Sequence, residues 1–203
     1  MEAARRISYK ALRKLCLLGV SRLAYVDTRL YMRCYIPVLR FFGLRIYGIP
    51  RYIAPTCSFD GTDYGLISIG HDAVISGYVR ILTHDYALTR AFVALGIELP
   101  ADVSRAEPVT IGENCFVGTR SILMPGCSIG KNVIIGAGSV VRGIIPDDSV
   151  VIGNPAQIVG NTLDWARSRI ELLRQGRLRP DATRRRPRSL SRGSSISSSH
   201  QGG

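Results

Sequence analysis

Histidine, tryptophan and cysteine are all scarce in these 203 residues, with three, one and five copies. The cysteines, at 16, 34, 57, 115 and 127, form no CxxC pair and are odd in number. That argues against a disulfide framework and a zinc ribbon, and suits a reducing cytoplasm. Long apolar runs are missing too. Arg13, Lys14, Arg22 and Arg29 interrupt the hydrophobic stretches near the start, so neither a membrane span nor a cleavable signal is expected. Acidic residues are few, 15 against 27 Lys and Arg, but the shortage is local. Residues 1–51 carry eleven basic and two acidic side chains, residues 52–161 six and ten, and residues 162–203 ten and three. Basic ends therefore flank a mildly acidic middle. Specific nucleic-acid binding would need basic residues interleaved with aromatics on an ordered face. The run RRRPRSLSRGSSISSSHQGG at 184–203 instead reads as a disordered tail with nonspecific phosphate affinity.

What the chain does have is a period. From Ile111 it reads IGENCF, VGTRSI, LMPGCS, IGKNVI, IGAGSV and restarts at Val141, with an aliphatic residue at 111, 117, 123, 129, 135 and 141. Four residues after each come Cys115, Ser121, Cys127, Val133, Ser139 and Ile145. A six-residue phase fits neither a 3.6-residue helix nor simple strand alternation. It fits a solenoid with triangular coils of three short strands, the aliphatics pointing into a prism and turn-prone residues such as Pro125-Gly126 and Lys131-Asn132 at its corners. Ile53 and Phe59 open the first units, a short insertion at 65–68 breaks the phase, and Ile69, Ile75 and Ile81 restore it. The phase disappears again over 86–108, a long loop insertion of the kind that carries function.

The segments IGENCFVG, LMPGCSIGKNVIIGAGSVV and VVIGNPAQIV resemble those of the hexapeptide-repeat acyltransferases, most closely the sugar and polysaccharide O-acetyltransferases. The resemblance implies a mainly β protein built as a left-handed parallel β-helix over residues 52–160, with acetyl-CoA as acyl donor and a homotrimer with its sites between subunits. Residues 1–51 read as a basic helical extension, with a break at Pro37. Its apolar positions at three- and four-residue steps serve either to cap the solenoid or to lie on an anionic membrane surface. A short basic helix over 161–179 precedes the tail at 180–203.

Of the histidines, His200 falls in the tail and His71 occupies a turn position shared with Glu113 and Lys131. His84 stands three residues after Ile81, at an outward corner just before the insertion. The motif Thr83-His84-Asp85-Tyr86 resembles the site at which the family carries its catalytic histidine. That implies His84 as general base, an imidazole of ordinary pKa about 6.5 being suited to take a hydroxyl proton and pass it to a leaving thiolate. Candidates to orient it are Asp85 and, from the preceding coil, Asp63 or Asp60; Asp63 also lies where sugar-acetylating relatives hold their acceptor. Phe116 replaces a tryptophan common beside the site. The resemblance further implies an oxyanion donor near Gly118 or Thr119, a donor groove along Thr119 and Ala137, and Arg142, with Arg167 or Arg169, near the CoA phosphate. Gln157 and Gly160 stand where many relatives are basic. A non-catalytic scaffold and other acceptors, such as serine, an amino sugar or an antibiotic, remain alternative readings. A zinc centre on this fold would need three nitrogen ligands where the core offers His71 and His84, so no metal is expected.

Overall fold

The computed structural model describes residues 2–60 and 63–178, so the tail expected at 180–203 lies outside the described residues. Two helices come first, α1 (Glu2–Ser21) and α2 (Thr28–Phe41), joined through a 3-10 turn at Arg22–Tyr25. Asp27 caps α2, its carboxylate accepting the Leu30 N–H at 2.6 Å. Pro37 does not break α2 as its lack of an N–H suggested. It lies on the exposed face, and burial of the flanking Tyr35, Ile36 and Leu39 carries the helix across it.

The coils then follow. β1 (Arg45–Ile46), β2 (Tyr52–Ile53) and β3 (Ser58–Phe59) form the first; β4 (Ile67–Ile69), β5 (Val74–Ile75) and β6 (Arg80–Ile81) the second. The insertion comprises β7 (His84–Asp85), α3 (Ala87–Ala94) and β8 (Arg105–Ala106). After it, β9 (Val109–Ile111), β10 (Phe116–Val117), β11 (Ile122–Leu123), β12 (Ser128–Ile129), β13 (Ile134–Ile135) and β14 (Val140–Val141) complete two regular coils. The last coil uses β15 (Ile144–Ile145), β16 (Ser149–Gly153) and an antiparallel return strand, β17 (Ala156–Asn161).

Three sheets of parallel strands face a common interior. The first stacks β1-β4-β9-β12-β15, the second β2-β5-β10-β13-β16, the third β3-β6-β11-β14. Register aligns the periodic aliphatics: Ile69, Ile111, Ile129 and Ile145 in one column, Ile53, Ile75, Val117, Ile135 and Val151 in the next, Phe59, Ile81, Leu123 and Val141 in the third. All except Phe59 are buried. At the corners, Asp72, Asn114, Asn132 and Asp148 share positive φ, and Asn114 and Asn132 each donate a side-chain hydrogen bond to the next residue of this ladder. Asn and Asp tolerate that backbone state because their short polar side chains bond locally. Coil contacts are close at Gly112, where an added Cβ would lie 2.3 Å from the Gly130 carbonyl oxygen.

Several expectations change. The array starts one strand early, Ile46 lying inward on β1 where a helical extension to residue 51 was expected. After Val141 the phase shortens, so Ile145 and not residue 147 stacks on Ile129. The insertion is no bare loop: β7 and β8 pair antiparallel and hold α3 at their tip. The C-terminal helix is two short ones, α4 (Thr162–Arg167) and α5 (Ile170–Arg174), the latter in a separate unit that starts at residue 169. Among the described residues no helix is long and apolar enough to cross a membrane.

α2 closes the first end of the prism. Tyr31, Met32, Tyr35, Ile36 and Leu39 join the same core as the inward aliphatics, and the Tyr31 hydroxyl donates to the Ile53 carbonyl at 2.8 Å. An open prism end would leave apolar side chains in water, and the helix supplies the required cover.

Candidate active site

His84 leaves the third sheet at the corner where the insertion begins, on β7. Its side chain is 17% exposed. The imidazole Nδ1 stands 2.9 Å from the Thr83 hydroxyl and 3.4 Å from Asp60 Oδ2. That same carboxylate oxygen accepts the backbone N–H groups of Thr83 and His84, each at 3.2 Å. A carboxylate binding both the backbone and the ring of one residue fixes where that residue points. With the proton on Nδ1, shared between hydroxyl and carboxylate, Nε2 keeps its lone pair. The Thr83 contact is the better formed; the Asp60 contact is long for a hydrogen bond and acts chiefly as charge.

The other two carboxylates considered with Asp60 are occupied locally. Asp63 accepts the Gly65 N–H at 2.8 Å and starts a 3-10 turn, while Asp85 accepts the Ala87 N–H at 2.8 Å at the start of α3. Neither reaches His84 by any hydrogen bond described. Thr83 escaped sequence reasoning, although a buried hydroxyl beside a corner histidine was a usable signal. Glu107 did as well. Its N–H donates to the Thr83 carbonyl at 2.9 Å, and its carboxylate pairs with Arg105. His71 Nδ1 accepts the Ile49 N–H at 3.2 Å, the bond of a corner residue.

The residues expected to hold CoA divide between two corners. Gly118, Thr119 and Ala137 lie between the second and third sheets, where the Thr119 hydroxyl donates to the Gly77 carbonyl at 2.6 Å and the Thr119 carbonyl accepts from the Gly138 N–H at 2.8 Å. Gly118 packs so close that an added Cβ would meet the Ala137 nitrogen at 2.5 Å. Its N–H already donates to the Ile135 carbonyl at 2.9 Å, so Gly118 is no oxyanion donor. Arg142 is exposed between β14 and β15, on the edge that His84 occupies. Phe116 faces outward from the second sheet and is 43% exposed. One copy thus brings together Asp60, Thr83 and His84, and separately Thr119 with Ala137, one prism side apart.

Residues 108–143 match the family model described as bacterial transferase hexapeptide, six repeats. That span takes in the two regular coils, β9 to β14, so the likeness to the family rests on the repeat array. Among curated relatives, the "Putative lipopolysaccharide biosynthesis O-acetyl transferase WbbJ" of Escherichia coli (strain K12) is 34% identical over 96 residues, 46% of this chain and 49% of that one. The chain spans about half the length of the curated relatives it matches. Among solved structures, the hexapeptide-repeat acetyltransferase VCA0836 of Vibrio cholerae, complexed with acetyl coenzyme A, aligns with a TM-score of 0.55 at 19% identity, covering 75% of this chain and 88% of that one. A galactoside acetyltransferase in complex with coenzyme A aligns at 0.54 and 18% identity, covering 77% and 84%. These similarities establish the fold as the left-handed parallel β-helix, an exception to the usual right-handed crossover.

Proposed function

We propose that this hexapeptide protein transfers an acetyl group from acetyl-CoA to a hydroxyl of a sugar or glycan precursor, with His84 as general base. The observation that carries the reading is the Asp60–Thr83–His84 arrangement: a ring held through Nδ1 at a corner beside an insertion, with Nε2 left for an acceptor. The hexapeptide array, the O-acetyl transferase relative and the acetyltransferases solved with CoA support the same chemistry. His84 Nε2 takes the acceptor's hydroxyl proton as its oxygen attacks the thioester carbonyl. The C–O bond forms, the C–S bond breaks, and the imidazolium returns the proton to the departing thiolate. Asp60 stabilises that imidazolium and orients the ring.

No acyl-enzyme is needed, and the buried thiols are poor nucleophiles. Burial pushes Cys57 and Cys127 up to about 12 and Cys115 up to about 11, which keeps them protonated near neutrality. All five cysteines are free, which fits a reducing cytoplasm where acetyl-CoA is available. Thr119 and Ala137 would line the pantetheine groove and Arg142 would meet phosphate, a task that suits the guanidinium fork. Because that groove lies one prism side from His84, we assign the complete site to neighbouring copies in a homotrimer. Outward apolar residues such as Phe116, Ile144 and Ile152 then face partner subunits.

The test is His84→Ala. Loss of acetyl transfer by roughly 10²–10⁴-fold is expected, with oligomeric state by light scattering and CoA binding by calorimetry unchanged. Full activity in that variant removes the mechanism, and wild-type protein that binds no CoA would point to a scaffold.

A further inference from the structure

α1 divides into two faces of different character. Arg13 is buried, its guanidinium 4.0 Å from the centre of the Tyr64 ring, and Cys16, Leu17 and Val20 pack against the core beside it. These positions recur at three- and four-residue steps and explain why the helix stays docked. The opposite face has leucines that nothing among the described residues covers. Leu12, Leu15 and Leu18 are 49%, 68% and 58% exposed. Lys10, Lys14 and Arg22 are not buried and flank this stripe. Beyond the helix, Tyr25 and Val26 are each 81% exposed at the turn into α2, followed by exposed Arg29 and Leu30.

An apolar stripe edged by cations has two kinds of cover available, a protein surface or a lipid surface. A second copy meeting through the same face would set Lys10, Lys14 and Arg22 against their own equivalents. Charge therefore selects an anionic partner, and the selection is broad. Residues 1–51 carry eleven basic side chains against two acidic ones, whereas residues 52–161 carry six against ten. Such a gradient turns the α1 end toward a negative surface and the coils away from it. A groove of about 410 Å³ opens beside the stripe, between Lys14, Leu17 and Leu18 of α1 and Phe59 and Tyr64 of the first coil, apolar within and with a cation at its rim.

We propose that the exposed face of α1 docks on an anionic lipid bilayer, Leu12, Leu15 and Leu18 entering the interfacial region while Lys10, Lys14 and Arg22 meet the headgroups. The helix lies in the plane of the surface; it does not span it. Each basic side chain near an anionic leaflet adds attraction that fades within a Debye length, so the contact depends on salt. The inference goes beyond the acetyl-transfer reading and is tested without it.

Full-length protein is sedimented with vesicles of phosphatidylcholine alone and with vesicles containing phosphatidylglycerol, at low and high salt. Binding is expected only to the anionic vesicles, with loss at high salt. A Leu12→Glu/Leu15→Glu/Leu18→Glu variant, whose changes lie on the exposed face, is expected to lose sedimentation while keeping its circular dichroism spectrum and melting temperature. Lys10→Glu/Lys14→Glu/Arg22→Glu is expected to weaken binding by about two orders of magnitude. Failure of wild-type protein to sediment with anionic vesicles at low salt overturns the proposal. So does undiminished binding by the leucine variant, which would assign lipid affinity to the arginines at 184–192. A folded leucine variant whose oligomeric state alone changes assigns the face to a second copy instead, and again overturns it.

Discussion

Replacing Asp60 with Asn removes the carboxylate charge that contacts the proposed base. Its Oδ2 accepts three contacts, two from backbone N–H groups at 3.2 Å and one from the imidazole at 3.4 Å. The amide oxygen of Asn still accepts the backbone N–H groups, so the corner is expected to fold normally. What disappears is the negative charge facing a ring that becomes positive during transfer. A hydrogen bond to a charged group contributes about 1.5–3 kcal/mol. Here the contact is long and the Asp60 side chain is 31% exposed, so the lower end applies. About 1.5 kcal/mol corresponds to roughly a tenfold fall in kcat. The assay is steady-state CoA release with a saccharide that the wild-type protein acetylates, alongside calorimetry for CoA, whose binding is expected to stay unchanged. The Asp60→Asn/His84→Ala double variant is expected to be no slower than His84→Ala, because Asp60 acts through the ring. Wild-type kcat in Asp60→Asn, or losses that multiply in the double variant, would refute the assignment. A larger loss in Thr83→Val would give the orienting role to the hydroxyl at 2.9 Å.

Gly112→Ala places a methyl 2.3 Å from the Gly130 oxygen, on backbone that yields only if adjacent coils separate. A loss of about 3 kcal/mol is expected by urea unfolding. Gly138→Ala meets nothing within 4 Å but sits at φ +71°, so about 1–2 kcal/mol is expected; equal losses would contradict the close-packing account. Burial raises the thiols of Cys57, Cys115 and Cys127 above their ordinary value near 9, and raises the Tyr31 and Tyr35 hydroxyls as well. The folded chain therefore holds protons that the unfolded chain releases first. Stability is expected to be fully present below about pH 9 and to decline as pH rises towards 12. A flat urea midpoint between pH 8 and pH 10.5 would show that these groups titrate normally.

The prism was legible because a coil repeats its environment every three units, which forces the same residue class to recur. Ile111, Val117 and Leu123 could be assigned inward positions from spacing alone, and Cys115 and Cys127 were read as small packing residues on the same ground. The signal weakened where the regularity stopped. Arg45–Ile46 was hidden because Ile46 falls out of the six-residue phase counted back from Ile53, across the turn that holds Pro50. The stem β7–β8 was hidden because its partners, His84 with Ala106 and Asp85 with Arg105, lie far apart in sequence and outside the six-residue phase. Pro37 misled because local propensity was outweighed by burial on the opposite side of its helix.

From its order of residues alone, the chain determined that it would wind in six-residue steps, that its interior would be aliphatic, and that His84 would stand at a rim. Which carboxylate serves His84 was decided only by stacking, since Asp60, Asp63 and Asp85 are all near it in sequence or in the coil before. Coil register sets Asp60 against the backbone of Thr83 and His84, while local turns consume the other two. Folding likewise put Thr119 and Ala137 on a different edge from His84, a separation that linear spacing cannot express because it depends on where each strand bends.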